Sequence, residues 1–378
     1  MLKRLLIFIF ISQIYGKTDL YVGYSSKSNN FETVQEAVDK AASIKPKSED
    51  DRITIHIAPG TYRQQVLVKT PYLTFLNDEP SKGEVLLTWY YGSRYKYYSA
   101  GERGYYDANL AKKKSSKNGG IYRGGPPVIL FKEASYFKAK DIIFENSFSR
   151  YMTKEEIEDG VEPNESKYVE RTMSLDVKAT TATVAASALA VEASYVEFLN
   201  CKLYSSQDTL YTGNSPIYFK NCLIEEQTDY ICGKGNVVFD SCELRWKGYS
   251  GNTLPGYITA PRGDIDNYTG YLLYNCKVTK NKSLNVKEGY FGRPWRKDGV
   301  AIFVNTILQD SSTITAAGWH EMGGVKPEEA KGLQEYGTKL ANGAPVSTSQ
   351  RKGVVLSDKD VKNLDIKKYM DNWTPSFM

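Results

Sequence analysis

A short pattern that recurs from Pro127 onward constrains the fold of this chain more than any other feature. Each copy has an apolar residue, a spacer, an Asn or Ser and a small residue, and an alternating apolar stretch follows. The copies are Phe144-Glu145-Asn146-Ser147, Phe198-Leu199-Asn200-Cys201, Phe219-Lys220-Asn221-Cys222, Phe239-Asp240-Ser241-Cys242, Leu273-Tyr274-Asn275-Cys276 and Phe303-Val304-Asn305-Thr306. Two intervals are close to 20 residues, and the longer ones fit coils with inserted loops. One strand per unit at this period predicts a solenoid.

The Asn positions favour one class of solenoid. Asn at a fixed turn tolerates the left-handed backbone conformation, and stacked copies can form a hydrogen-bonded ladder. Leucine-rich repeats share the period but need a Leu-dense signature that this sequence lacks. We therefore predict an all-β fold, a parallel β-helix with long surface loops.

A short helix is expected near the N-terminus. Apolar residues from Phe31 to Ala41 have helical spacing, and Asn29 or Asn30 is the expected cap. With 41% apolar residues, the chain has ample material for one large core beneath this helix.

The segments that follow the helix predict strands and then loops. Side chains at residues 52–57 alternate in polarity with period two, which predicts a strand. Residues 59–62 are expected to form a turn, and residues 65–68 are predicted to form another strand. Residues 90–125 are rich in Tyr, Lys, Ser and Gly without a clear period, and residues 150–170 are charged. Both of these segments are predicted to be inserted surface loops.

The first residues predict secretion. Lys3 and Arg4 precede the apolar run at residues 5–11, and Gly16 is an acceptable small residue for cleavage. The run is too short to cross a bilayer comfortably. We predict a signal peptide over residues 1–16 and one secreted, extracellular domain over residues 17–378. Four sequons for N-glycosylation fit a secreted protein: Asn164, Asn267, Asn281 and Asn372.

The cysteines follow the repeat. Cys201, Cys222, Cys242 and Cys276 share one register, so they are expected to stack inside the solenoid. Disulfides are usual in secreted proteins, but small apolar side chains filling one interior column are an equally simple reading. We predict mostly free buried thiols, with Cys232 outside the column.

Two aspartates carry the candidate chemistry. Asp229 follows Asp208 by 21 positions, which is about one coil. Parallel strands stack about 4.8 Å apart, so residues one coil apart become neighbours. Two adjacent carboxyls do not ionise together easily, and their pKa values separate. Arg293 can pair with one of them and keep it anionic, which leaves the other available as an acid.

The residues alone leave three roles open for this pair. Glycoside hydrolysis, ester hydrolysis by an aspartate nucleophile and a structural ion pair all use such groups. The chain has only two histidines, His56 and His320, and no Gly-x-Ser-x-Gly elbow, so a Ser-His-Asp hydrolase is poorly supported. No zinc spacing, dense acidic cluster or phosphate-binding Gly motif is present, and we predict no metal and no cofactor.

A set of motifs in order resembles the pectinesterase (pectin methylesterase) family, across nearly the whole mature chain. The motifs are Phe31-Glu32-Thr33-Val34-Gln35, Gly60-Thr61-Tyr62-Arg63, Gln207-Asp208-Thr209-Leu210-Tyr211, Asp229-Tyr230-Ile231-Cys232-Gly233, Ile258-Thr259-Ala260, Phe291-Gly292-Arg293-Pro294-Trp295, Gly318-Trp319, Glu335-Tyr336-Gly337 and Trp373-Thr374-Pro375. The resemblance implies a right-handed, single-stranded parallel β-helix. It also implies hydrolysis of methyl esters on polygalacturonate, with release of methanol.

The resemblance assigns roles to four site residues. Asp229 is implied as the nucleophile and Asp208 as the acid that protonates methanol and then the base that activates water. Arg293 is implied to hold the nucleophile. Gln207 is implied to stabilise the oxyanion, a role that suits an uncharged side-chain donor.

The resemblance also implies the substrate contacts and partners. Trp295, Tyr211, Tyr230 and Met322 are the expected substrate-binding residues, although plain packing is the usual role of such aromatics. The expected partner is methyl-esterified polygalacturonate, and the net charge of +5 suits a polyanion. We expect a monomer that binds no nucleic acid and, after signal removal, no membrane.

Several positions depart from the family's pattern. Ala185 stands where a Gln oxyanion donor is usual, and Cys232 stands where Phe is usual, which is expected to widen the methyl pocket. Pro261 and Gln64 replace a Gln and a Glu. These departures keep two alternatives open: an impaired relative that only binds polyuronate, and an esterase of the same fold acting on another acyl ester.

Overall fold

In the computed structural model the chain winds repeatedly through three long parallel sheets. The structure describes residues 17–378 except 103, 118–126, 160–161, 164–183, 206, 215, 248–254, 264–269, 282–287 and 331. The predicted signal peptide and the sequons at Asn164 and Asn267 lie outside the described residues. Within the described residues, no helix is long and apolar enough to cross a membrane.

The strands of each sheet are given in spatial order. The first sheet contains Asn30–Phe31, Thr18–Val22, Ile53–Ile57, Leu73–Leu76, Lys138–Lys140, Val196–Leu199, Ile217–Lys220, Val237–Asp240, Tyr271–Tyr274, Ala301–Val304, Leu333–Tyr336 and Val354–Val355. The second sheet contains Lys339–Leu340, Ile307–Leu308, Lys277–Lys280, Glu243–Trp246, Leu223–Glu226, Lys202–Tyr204, Ile142–Asn146, Val85–Trp89 and Gly60–Arg63. The third sheet contains Gly289–Gly292, Gly256–Pro261, Thr228–Gly233, Leu210–Thr212, Leu189–Glu192, Ile129–Lys132 and Val66–Val68.

Each coil contributes one strand to each sheet in turn. Val196 pairs with Ile217 and Ile217 with Val237, all in parallel, so one coil takes about 20 residues. The predicted parallel β-helix is confirmed. The expected turn at residues 59–62 is wrong, because Gly60–Arg63 pairs as a strand with Val85–Trp89.

The helix near the N-terminus spans Val34–Ile44 and buries its apolar face against the first coil. Its cap is Thr33, whose hydroxyl accepts from Glu36 N–H while the Glu36 carboxylate accepts from Thr33 N–H. The expected Asn29 or Asn30 cap is therefore wrong. Shorter helices are Ala108–Lys113, Lys154–Glu158, Asp358–Lys362 and Ile366–Tyr369, with single 3₁₀ turns at Ser147–Ser149 and Pro327–Glu329.

The repeated Asn positions take the left-handed conformation, as predicted. Asn200, Asn221, Asn275 and Asn305 have φ between 52° and 55°, and Asn305 donates to the side-chain oxygen of Asn275 at 3.3 Å. The copy at Asn146 was placed in the wrong register. In that coil the left-handed turn is Asp141, which accepts from the Asn200 side chain at 3.2 Å.

The solenoid interior contains stacked columns of like side chains. Phe198, Phe219 and Phe239 stack with ring centroids 4.6 and 5.0 Å apart. Beside them Cys201, Cys222, Cys242 and Cys276 form the predicted column, and these four thiols and that of Cys232 are free and buried. The thiols of Cys222, Cys242 and Cys276 donate to backbone carbonyls of the preceding coil, as Cys276 does to Phe239 at 3.3 Å.

The Tyr-rich segment after Trp89 is not the surface loop that the sequence predicts. Tyr90, Tyr91 and Tyr97 pack together and are nearly fully buried. The buried carboxylate of Asp159 accepts from Tyr90 Oη at 3.1 Å. The two predicted insertions therefore pack on each other, and a short antiparallel pair, Tyr95–Lys96 with Glu162–Pro163, joins them.

Candidate active site

The third sheet brings Asp208 and Asp229 to the same position of consecutive coils. Leu210 pairs with Ile231 and Tyr211 with Cys232, which is the 21-residue offset that also relates the two aspartates. Asp208 N–H donates to Thr228 O at 3.3 Å. The predicted proximity is confirmed at the level of strand register.

Both aspartates have an unusual backbone conformation. The φ angle is 57° at Asp208 and 54° at Asp229, in the left-handed region that few residues other than Gly adopt. At Asp229 the pairing with the next strand slips by one residue between Thr228 and Ile231, which is a β-bulge. Bulges redirect side chains and are common beside active sites. The backbone thus aims both carboxyls away from the regular alternation of the strands.

Arg293 holds the carboxylate of Asp229. Its Nε donates to one oxygen at 2.9 Å and one Nη donates to the other at 2.8 Å. The guanidinium carbon also lies 4.0 Å from the ring centroid of Tyr257. Burial works to lower the pKa of Arg293, but the Asp229 carboxylate outweighs it and raises that pKa above its ordinary value. The two parallel hydrogen bonds therefore fix the plane of the Asp229 carboxylate.

Asp208 is in the opposite electrostatic situation. Burial, and then the negative charge of Asp229, raise the pKa of Asp208 to about 8, against smaller opposing effects of Arg293 and the Gln207 side chain. No salt bridge reaches Asp208 within the described part of the chain. At neutral pH Asp208 therefore retains its proton, whereas Asp229 beside it is paired with a guanidinium.

Gln207 lies next to Asp208 and close to the departure at Ala185. The Gln207 side chain contacts Asp208, and Gln207 O accepts from Ala186 N–H at 3.0 Å. Ala185 is 9% exposed, and its carbonyl accepts from Ser93 N–H at 2.8 Å. The Tyr-rich insertion therefore contacts the chain at Ala185, a contact that sequence reasoning did not predict.

Three of the four expected substrate-binding residues are accessible. Trp295 is half-buried, with the Arg262 and Arg296 guanidinium carbons 5.5 and 5.9 Å from its ring centroid. Tyr211 is half-buried on the strand beside Cys232. Met322 is half-buried in the turn after Trp319, where its backbone pairs with Val325.

Tyr230 does not belong with these residues. It is fully buried, its ring packs edge-on against Trp246 at 5.1 Å, and its hydroxyl donates to Arg245 O at 2.9 Å. The bulge at Asp229 turns the following side chain into the core. The expected substrate contact of Tyr230 is therefore corrected to a packing role.

Cys232 lies in the site without being suited to nucleophilic chemistry. It is 5% exposed and pairs with Tyr211 and Ala260 on the adjacent strands. Burial, followed by the charges of Asp208 and Asp229, raises the pKa of its thiol well above the usual value. The reactive thiolate is therefore disfavoured.

A third carboxyl, which the sequence analysis missed, lies beneath the two aspartates. Glu226 ends the strand Leu223–Glu226, is fully buried and accepts from Thr209 N–H at 3.0 Å. The adjacent pair Glu225 and Glu226 was the available signal, because a strand exposes at most one of two consecutive side chains. Over the described residues, no group of three or more His, Cys, Asp or Glu is arranged to hold a metal ion.

Comparisons with known proteins agree with this geometry. The family model named Pectinesterase matches residues 140–372. Pectinesterase 31 of Arabidopsis thaliana is 26% identical over 318 residues, which are 82% of this chain and 79% of that protein. Probable pectinesterase A of Neosartorya fischeri is 36% identical over 169 residues, 44% of this chain and 48% of its own length. A solved pectin methylesterase in complex with hexasaccharide VII superposes with a TM-score of 0.68 at 22% identity, covering 95% of this chain and 99% of the other.

Proposed function

Because this chain belongs to the pectinesterase family of carboxylic ester hydrolases, we propose that it removes methyl esters from pectin, giving pectate and methanol. The observation that carries this proposal is the asymmetry of the two aspartates. Asp229 is held as an anion by Arg293, and Asp208 beside it retains a proton near neutral pH. Ester cleavage through an acyl-enzyme needs such a nucleophile and acid.

The first half of the reaction releases methanol. An oxygen of the Asp229 carboxylate attacks the ester carbonyl carbon, and the carbonyl oxygen becomes an oxyanion that accepts from the Gln207 amide. The bond from carbon to the methoxy oxygen then breaks while Asp208 transfers its proton to that oxygen. Methanol leaves, and the galacturonoyl group remains joined to Asp229 as an anhydride.

The second half regenerates the site. Asp208, now an anion, takes a proton from water as the water oxygen attacks the anhydride. The bond between the acyl carbon and Asp229 breaks, the galacturonic acid group leaves and loses its remaining proton to solvent, and Asp208 is again protonated. Arg293 holds the Asp229 carboxylate in place at both ends of the cycle.

The site suits a polyuronate chain. Trp295 offers an aromatic face, and Arg262 and Arg296 beside it are exposed cations that attract the free carboxylates of pectin. The bound hexasaccharide in a structurally similar pectin methylesterase supports a substrate of this length. We propose that the enzyme is secreted as a monomer and reaches this polymer outside the cell.

Ala185 favours a second candidate function, a polyuronate-binding relative with little turnover. Loss of one oxyanion donor costs about 10²–10³ in kcat where it has been measured.

Purified protein is incubated with methyl-esterified polygalacturonate and with a panel of non-sugar esters, and methanol or acid release is followed. Methanol release from the pectin, with no hydrolysis of the non-sugar esters, supports the proposal. Pectin binding without turnover supports the binding protein, and preference for a non-sugar ester contradicts our substrate.

A further inference from the structure

Glu226 lies directly beneath the turn that presents Asp208. It is fully buried, and its Oε2 accepts from the backbone N–H of Thr209 at 3.0 Å. Thr209 follows Asp208, whose φ of 57° needs a fixed backbone on both sides. A side chain from the next coil therefore holds the backbone of the candidate acid.

Glu226 differs from its neighbour Glu225 in its ion pairs. No salt bridge reaches it within the described residues, whereas Glu225 beside it accepts from Arg150 at 2.8 Å and from Arg245 at 2.6 Å. The Oε1 of Glu226 and the hydroxyl of Thr209 are both buried, and neither has a hydrogen-bond partner in the described part of the chain. An ionised carboxylate in this position would be buried and uncompensated, which is costly. A proton on Oε1 removes the charge and provides a donor for the Thr209 hydroxyl.

The groups around Glu226 favour the same state. Burial is the largest effect and raises its pKa well above the usual value; the Thr209 side chain and N–H oppose this rise, and the charges of Asp208 and Asp229 add to it. A further titratable neighbour is the buried thiol of Cys232, on which Glu226 acts in turn. Trp246, its partner on the next strand, is uncharged.

We propose that Glu226 is a positioning residue for Asp208 that works as a neutral carboxylic acid: its Oε2 fixes Thr209 N–H, and its proton keeps a third negative charge away from the catalytic pair. Glu226 does not touch the substrate. A carboxylate at this point would make Asp208 harder still to ionise and would hinder the transfer of its proton to methanol. The neutral form holds the turn without that effect.

The kinetic test rests on the proposed function and compares Glu226→Gln with Glu226→Ala in the methanol assay. Gln keeps an oxygen for Thr209 N–H and an uncharged donor in place of the protonated oxygen. We expect E226Q to retain kcat within about 2-fold and E226A to lose about 10-fold or more, with KM changed much less, since misplaced groups lose rate before binding. Equal kcat values for wild type and E226A, or an E226Q as impaired as E226A, overturn the proposal.

A second measurement does not depend on activity. A carboxyl whose pKa is raised in the folded chain stabilises the fold below its unfolded pKa, near 4.5, and this contribution is lost as the pH rises toward the folded value. The E226Q variant has no ionisable group at this position, so it cannot lose this contribution to stability. The Tm of E226Q is therefore expected to rise relative to wild type as the pH increases above about 5. A Tm difference that stays constant with pH overturns the neutral state, even if E226A fails to fold.

The matched control is Glu225→Gln, the preceding residue of the same strand. It loses ion pairs with Arg150 and Arg245 and is expected to lower Tm while leaving kcat unchanged. If wild type releases no methanol, the proposed function fails while the Tm comparison still decides whether Glu226 is neutral. If E225Q lowers kcat as E226A does, the effect belongs to the strand and the positioning role is overturned.

Discussion

Arg293 donates to both carboxylate oxygens of Asp229, at 2.9 and 2.8 Å, across 64 positions of sequence. Asp208 occupies the same place one coil earlier and receives no salt bridge within the described residues. One guanidinium therefore makes two chemically identical side chains different. The proposed division into nucleophile and acid depends on this difference.

Replacing Arg293 with Lys tests the bidentate contact. Lys keeps one positive charge but cannot bond to both oxygens of a carboxylate, so Asp229 loses its fixed plane. We expect kcat to fall on the order of 10²-fold with KM much less affected. Arg245→Lys, at an ion pair in the second sheet, is the control and should retain full kcat. Wild-type kcat in R293K would contradict the role given to Arg293.

The rate of methanol release should depend on pH through Asp208. Its pKa of about 8 means that it carries the required proton below that pH and loses it above. The kcat of wild type is therefore expected to fall as the pH rises through about 8. Asp208→Asn should lower kcat by about 10²–10⁴ and abolish this fall in the residual activity. An increase in wild-type kcat across pH 8 would exclude Asp208 as the acid.

A gain of activity is expected from Ala185→Gln. Ala185 precedes Ala186, which bonds to Gln207, so a Gln at position 185 can place a second amide beside the first. Since one oxyanion donor is worth about 10²–10³ in kcat, recovery of even part of it should raise kcat by about 10-fold. Ala185→Leu adds similar bulk without a donor and should give no gain. If the two variants have equal rates, Ala185 does not limit turnover.

The cysteines should be free in the native protein. Cys222, Cys242 and Cys276 each donate through Sγ to a backbone carbonyl of the preceding coil, at 3.6, 3.6 and 3.3 Å. Thiol titration of the denatured, unreduced chain is expected to count all five cysteines. Reductant should leave Tm unchanged, because no disulfide restrains the unfolded state. Fewer than five titrated thiols, or a Tm that falls when reductant is added, would show that some cysteines are cross-linked.

The proximity of the two aspartates could be predicted from the sequence because a solenoid converts sequence offset into distance. The period predicted the parallel strands, and the 21-residue offset then placed Asp208 beside Asp229. Asn200 and Asn221 likewise revealed the left-handed turns. These features repeat, and repetition is visible in a single sequence.

The features that occur once were missed. The bulge at Asp229 breaks the alternation of its strand, so the burial of Tyr230 did not follow from the pattern. The contact of Ser93 with Ala185 joins an insertion to the site across distant sequence, and no local signal marks it. Glu226 was missed because a buried, unpaired carboxyl opposes the usual rule for charged residues.

The most direct test of the account is methanol release by wild type and by Asp229→Asn on methyl-esterified polygalacturonate. Asn keeps the size of the side chain but removes the nucleophilic oxygen anion, and equal far-UV spectra would show that both proteins fold. We predict clear release by wild type and at least about a 10³-fold lower rate for D229N, since the other groups of such sites retain only residual catalysis. Comparable rates for the two proteins, or no release by wild type, would contradict it.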